Sequence, residues 1–235
     1  MSEKVVFLDF DGVLFDSVKE AYLLSRKSYF DIDIKAPIDT MHYSKFRKFR
    51  YLITHSWQYF YMLQMIENNI GENEFEQKFY DVVTKSLQAE DFDRNFALAR
   101  ENLLKTDFEY WDSIDEPFEF FKDVARLCDE FPEKFIILTN KKKLPVQNKL
   151  KKYKVNNIKL FANEDLLSYN NKAEFIIDYM EKHNLQKSFL VEDSIDNINS
   201  CGKYPQIHTL LVDWGYIHPR EKGVSRDEIL EIIKE

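Results

Sequence analysis

The sequence predicts an α/β protein, a doubly wound parallel sheet interrupted by an all-helical insert. Three observations carry that expectation. Val5-Val6-Phe7-Leu8 is an unbroken apolar run with two β-branched residues, the pattern of a strand buried on both faces. From about residue 112 onward, short apolar runs alternate with helical periodicity, as successive βα units do. Between about 17 and 111 no strand pattern intervenes. The expected domains are therefore a core of residues 1–16 and 112–235 and a helical insert of residues 17–111.

Taken in order, the first strand ends at Asp9, and Gly12 permits a turn that a Cβ would resist. Ser17 can cap a helix over Val18 to Phe30, on which Ala21, Tyr22, Leu24, Ser25 and Tyr29 share a face. Asp31 to Asp39, with Pro37, reads as a loop. A long helical pattern covers Tyr43 to Asn69, and Gly71 breaks it. Further helices are expected over Glu72 to Leu87 and Asp91 to Lys105. Phe46, Phe49, Tyr51, Trp57, Tyr59, Phe60 and Tyr61 are mainly core of a small bundle on this reading. After the polar joint Asp112 to Pro117, Pro117 can open a helix over Phe118 to Phe131, which Pro132 ends. Strands are expected at Lys134 to Leu138, Ile158 to Phe161, Ser188 to Val191 and His208 to Val212. Helices are expected at Pro145 to Tyr153, Asn171 to His183 and Ile195 to Lys203. Ser225-Arg-Asp-Glu228 is a capping box that opens a terminal helix.

With 235 residues, 44% of them hydrophobic, the chain can build a sizeable core. A net charge of −8 argues against the nucleic-acid backbone as a partner. Cys128 and Cys201 form no metal or redox spacing and read as buried thiols in a reducing compartment. The N-terminal apolar run is too short for a signal-peptide core, and none approaches the ~20 residues of a membrane span. The expectation is a cytoplasmic protein without a membrane partner, a monomer or weak homodimer.

The chemistry begins at Asp9 and Asp11. Two carboxylates two residues apart beyond a buried strand are costly unless a cation compensates them. One can attack phosphorus while its neighbour hands a proton to the leaving oxygen. A lone Asp-x-Asp-Gly can also be a plain turn, so the other strand ends matter, because ligands gather there in such sheets. Phe135 to Leu138 leads into Thr139-Asn140-Lys141, a hydroxyl and backbone N–H groups able to hold a phosphoryl oxygen. Lys172 opens a helix, where the dipole disfavours a cation, so a nearby anion is expected. Lys141, Lys142, Lys143 and Lys151 are rivals for its role. Phe189-Leu190-Val191 delivers Glu192 and Asp193, adjacent acids that again call for a cation.

Asp9-Phe10-Asp11-Gly12-Val13-Leu14-Phe15-Asp16-Ser17 resembles motif I of the haloacid dehalogenase superfamily of phosphohydrolases. Thr139-Asn140-Lys141, Lys172 and Glu192-Asp193 resemble motifs II, III and IV in order. The resemblance spans the chain, although Lys172-Ala173 stands where members often carry Lys-Pro, and Glu192 where many carry Gly. It implies a Rossmann-like core with a helical C1-type cap and a Mg²⁺-dependent phosphatase acting on a small phosphorylated metabolite. It also implies Asp9 as nucleophile, Asp11 as acid/base, and Thr139 and Lys172 as phosphate holders, joined by Gly12 and Asn140. Asp9, Asp11 through its carbonyl, and Asp193 would hold the metal, with Glu192 and Asp196 as auxiliaries. Oxygen ligands without His or Cys suit Mg²⁺.

In the insert, Arg47, Arg50, His42, His55 and Trp57 are candidate substrate contacts, each singly also readable as part of a solvated face. Hinges are expected at Phe15 to Ser17 and Tyr110 to Pro117. Asp11 argues against dehalogenation, which has no leaving oxygen to protonate. Lys45 or Lys48 would be needed for phosphonate cleavage through a Schiff base. Two alternatives stay open: a phosphomutase, through the Glu192-Asp193 pair, and a catalytically inactive member binding a protein through its aromatic insert.

Overall fold

The structure, a computed structural model, describes residues 4–131 and 133–234. The chain runs β1 (Val5–Leu8), β2 (Phe15–Asp16), α1 (Val18–Phe30), α2 (Thr40–Lys48), a 3₁₀ turn at Arg50–Leu52, α3 (Gln58–Glu67), α4 (Glu72–Lys85), α5 (Glu90–Thr106) and α6 (Phe108–Ile114). It continues through β3 (Glu116–Pro117), α7 (Glu119–Glu130), β4 (Phe135–Leu138), α8 (Lys143–Lys152), β5 (Lys159–Phe161), α9 (Asn163–Leu166), α10 (Lys172–Lys182), β6 (Ser188–Glu192), α11 (Ile195–Cys201), β7 (Ile207–Leu211) and α12 (Arg226–Lys234). It divides into two units, Met1–Asp16 with Glu116–Glu235, and Ser17–Asp115. Among the described residues no helix is long and apolar enough to cross a membrane.

In the first unit a parallel sheet has the order β5-β4-β1-β6-β7. Strand side chains alternate faces, which explains why β1 is apolar throughout. Val6 and Leu8 join Ile137, Val191 and Leu210 against Phe120, Val124 and Leu127 of α7 and Ile229 and Ile233 of α12. Val5 and Phe7 join Ile136, Leu138 and Leu190 against Ala173, Ile176 and Met180 of α10. β1 is central, with β4 and β5 on one side and β6 and β7 on the other, so the order reverses beside β1. The C-terminal ends of β1, β4 and β6 therefore share the edge where such sheets bind ligands.

Several local expectations are corrected. Pro117 pairs in β3 with Phe15 of β2 instead of opening a helix, and Phe118 N donates to Leu14 O at 2.9 Å, so α7 starts at Glu119. The helix-ending role read for Pro132 lies outside the described residues. The polar joint is partly helical, and α6 carries the second unit to Asp115. Ser17 occupies the N-cap position without a side-chain capping bond. The capping box is formed: Ser225 N donates to Glu228 Oε2 at 3.0 Å and Glu228 N to Ser225 Oγ at 3.4 Å.

The second unit is helical throughout. The expected single helix over Tyr43 to Asn69 is broken: Ile53 is extended, and Gln58 Oε1 accepts from Thr54 N at 2.8 Å and His55 N at 3.1 Å. That side chain satisfies backbone donors which a continuous helix would have bonded internally. The aromatics do build the core: Phe46 stacks on Tyr59 at 5.2 Å and Phe49 on Phe75 at 4.2 Å, while Trp57 and Tyr61 are half-buried. Buried Glu20 accepts from Arg100 at 2.8 and 3.1 Å and from Trp111 Nε1 at 2.7 Å.

Candidate active site

β1 delivers Asp9 to the sheet edge, where its N–H donates to Val191 O at 3.0 Å and ties the strand end to β6. The chain then turns tightly, with Leu14 N and Phe15 N both donating to Phe10 O at 2.9 Å and Gly12 N to Phe15 O at 2.8 Å. Gly12 has φ +83°, a region that favours glycine, and a Cβ there would lie 2.1 Å from Asp193 Oδ2. The turn is thus fitted against the acid at the end of β6.

Asp9, Glu192 and Asp193 each offer a carboxylate oxygen within 4.8 Å of the others. Lys172, from the first turn of α10, lies 2.9 Å from Asp9 Oδ1 and 2.7 Å from Glu192 Oε2. Its side chain is 2% exposed. Burial works to lower the Lys172 pKa, but the two carboxylates more than offset it and hold the ammonium above the ordinary lysine range. Asp9 is pushed from 3.8 up to about 7, first by burial and then by the Glu192 charge, with Lys172 opposing. Burial also raises Glu192, against the pull of Lys172. One lysine therefore does not neutralise three acids.

Whether a hard cation fits can be judged from the donors. Asp9 Oδ1 accepts no well-directed hydrogen bond among the described residues, although Lys172 is close. Asp193 Oδ2 accepts from Tyr216 N at 3.0 Å. An all-oxygen set with excess negative charge and an underused buried oxygen suits a divalent ion such as Mg²⁺. Glu192 is engaged differently. Its Oε1 accepts from Asp193 N (3.2 Å) and Ser194 N (3.1 Å), and its Oε2 from Lys172 and from Asn197 Nδ2 (3.1 Å).

Thr139 ends β4 with 1% exposure, and its Oγ1 accepts from Lys141 N at 3.2 Å. Asn140 is exposed. The Asp11 carboxylate lies outside the three-acid cluster and pairs with Lys141 Nζ at 2.8 Å. Asp196 is exposed in the first turn of α11, also outside the cluster. Among the rival lysines, Lys142 is exposed, Lys143 pairs with Asp165 at 3.0 Å, and Lys151 is exposed. Arg47 and Arg50 belong to the helical unit. Arg47 is exposed, and Arg50 donates to Ile53 O at 2.9 Å with its guanidinium 5.6 Å from the Tyr59 ring centre.

Sequence reasoning missed the loop after β7. Beyond the Tyr216 contact to Asp193, a Cβ on Gly215 would sit 2.5 Å from both Asp193 Cβ and Gly12 O. Trp214 Nε1 donates to Val13 O at 3.1 Å, and Tyr216 Oη to Asp16 at 3.2 Å. The available signal was Asp213-Trp214-Gly215-Tyr216 itself, a glycine-bearing turn following another apolar strand.

No protein-family model and no curated protein sequence matches the chain. Solved structures do resemble it. A haloacid dehalogenase-like family hydrolase from Streptococcus pneumoniae aligns with a TM-score of 0.58 at 14% identity over 97% of each chain. A protein named as a predicted phosphoglycolate phosphatase from Haemophilus somnus aligns at 0.62, with 17% identity over 97% of each. A hydrolase from Pseudomonas syringae aligns at 0.61, with 15% identity over 98% of each. The chain has the fold of the haloacid dehalogenase-like hydrolases.

Proposed function

We propose that the chain is a haloacid dehalogenase-like phosphatase, a Mg²⁺-dependent phosphomonoesterase acting on a small phosphorylated metabolite. One observation supports this above the others: Asp9, Glu192 and Asp193 converge around a single buried lysine, leaving an excess of negative charge that a divalent ion and a phosphate would balance. Asp9 attacks phosphorus, forming an aspartyl-phosphate as the ester P–O bond breaks. Asp11 gives its proton to the departing oxygen, then takes one from the water that attacks the aspartyl-phosphate. Thr139, neighbouring backbone N–H groups and Lys172 hold the phosphoryl oxygens as charge shifts among them. Bound Mg²⁺, held by Asp9, Asp193 and the Asp11 carbonyl, would neutralise phosphoryl charge.

Glu192, with four donors on its two oxygens, is assigned to anchoring Lys172 and the β6–α11 turn. Cys128 and Cys201 are both buried free thiols, and burial raises their pKa to about 12 and about 11, so neither offers a reactive thiolate.

The test is hydrolysis of para-nitrophenyl phosphate and a panel of metabolite phosphates, phosphoglycolate among them, with Mg²⁺. Asp9→Asn is expected to lose about 10³-fold or more in kcat/KM, and EDTA to abolish turnover. Activity that survives either treatment overturns the assignment. Phosphoryl return to a second sugar hydroxyl instead of to water would identify a mutase.

A further inference from the structure

We infer that Lys141 is a positioning residue for the acid/base carboxylate, holding Asp11 so that one defined oxygen handles the proton. The inference rests on the phosphatase reading and extends it to a residue outside the phosphate-holding set. Lys141 Nζ lies 2.8 Å from Asp11 Oδ1, and the lysine side chain is 1% exposed whereas Asp11 is 25% exposed. The partly solvated carboxylate is thus tethered from its buried side.

The tether is itself fixed at both ends. Lys141 N donates to Thr139 Oγ1 at 3.2 Å, and Lys141 O accepts from Asn163 N at 3.0 Å, joining the residue to the ends of β4 and β5. Its ammonium also lies 5.7 Å from the Phe10 ring centre, a cation–π distance. A lysine so enclosed, with Asp11 Oδ1 2.8 Å from its ammonium, has few rotamers. With Oδ1 occupied by the ammonium, proton transfer falls to Oδ2. The proton on Oδ2 passes to the leaving oxygen as the ester P–O bond breaks and the Asp9–phosphorus bond forms.

The consequence is a leaving-group signature. A para-nitrophenolate departs with little need of a proton, whereas an alkoxide needs one, and general acid catalysis contributes about 10²–10⁴-fold where it is needed. Lys141→Met should therefore lose at least about tenfold more kcat/KM on an alkyl phosphate than on para-nitrophenyl phosphate, mainly in kcat. Asp11→Asn should show the same bias. The double variant should be no worse than Asp11→Asn alone, since the two residues act as one unit. Inhibition by inorganic phosphate should match wild type in Lys141→Met.

Equal loss on both substrate classes, with weakened inhibition by inorganic phosphate, would instead make Lys141 a direct phosphate holder and overturn the inference while the phosphatase reading stands. Equal loss with unchanged phosphate inhibition also overturns it. Should Lys141→Met fail to fold, Lys141→Gln, whose stem is one carbon shorter and draws the donor back from Asp11, must show the same bias. A wild-type protein that hydrolyses neither substrate class removes the phosphatase reading and this inference together.

Discussion

Glu192→Gln is the most informative single change in the core, because it keeps shape and removes one charge. The carbonyl oxygen of the new side chain can still accept from Asp193 N and Ser194 N. Its amide nitrogen, however, then faces Lys172 and Asn197, both donors, where the carboxylate accepted at 2.7 and 3.1 Å. Breaking one side of a buried ion pair costs about 3–5 kcal/mol. Two effects reduce the loss here: Lys172 keeps Asp9 at 2.9 Å, and the Asp9–Glu192 repulsion disappears. A net destabilisation of about 2–4 kcal/mol is expected. At about 2–4 °C per kcal/mol for a chain of this size, Tm should fall by roughly 4–16 °C. Calorimetry in EDTA measures that fall. Repeating the scans with Mg²⁺ separates anchor from ligand: the rise in Tm on adding Mg²⁺ should survive in the variant, because Asp9 and Asp193 remain. A variant that melts within about a degree of wild type in EDTA refutes the anchoring role, and a lost response to Mg²⁺ shows that Glu192 ligates the ion.

Three further outcomes are expected. Asp9 and Glu192 have raised pKa values, so the folded protein binds their protons more tightly than the unfolded chain does. For Asp9 this contribution is present below pH 3.8 and is lost as pH rises through about 7. The metal-free protein should therefore lose stability across that window, and the Tm rise with Mg²⁺ should be larger at pH 8 than at pH 5; a response independent of pH contradicts this. Lys172, shifted upward, changes nothing in that range. Gly12→Ala, with φ +83° and a Cβ 2.1 Å from Asp193 Oδ2, should cost about 2 kcal/mol or more in denaturant unfolding and most of the activity. In the helical unit, Glu20→Gln leaves Arg100 and Trp111 to share a neutral acceptor, and urea unfolding should show a loss of about 2–3 kcal/mol; an unchanged midpoint argues against that network.

Much of the arrangement was legible because its signals are local. An apolar run such as Phe135 to Leu138 reports a doubly buried strand, and Thr139 stands next to it in the chain, so the strand end and its polar residue are read together. The break at Ile53 was not legible, since the aromatics keep helical spacing across it while the Gln58 side chain decides the backbone path. Pro117 misled for a similar reason: a proline suits a helix start and an edge strand equally, and its pairing with Phe15 is remote in sequence.

The alternation of strands and helices, the helical character of the insert and the polar residues at strand ends were all readable along the chain. Each of these follows from near neighbours along the chain, through side-chain period and backbone preference. Which lysine meets which acid became apparent only in the folded chain. Lys172 joins Asp9 and Glu192, Lys141 takes Asp11 across 130 residues, and the Gly215-Tyr216 turn closes on Asp193. Those pairings depend on strand order and on the desolvation that makes an unpaired charge costly, and neither is a property of any short stretch of sequence.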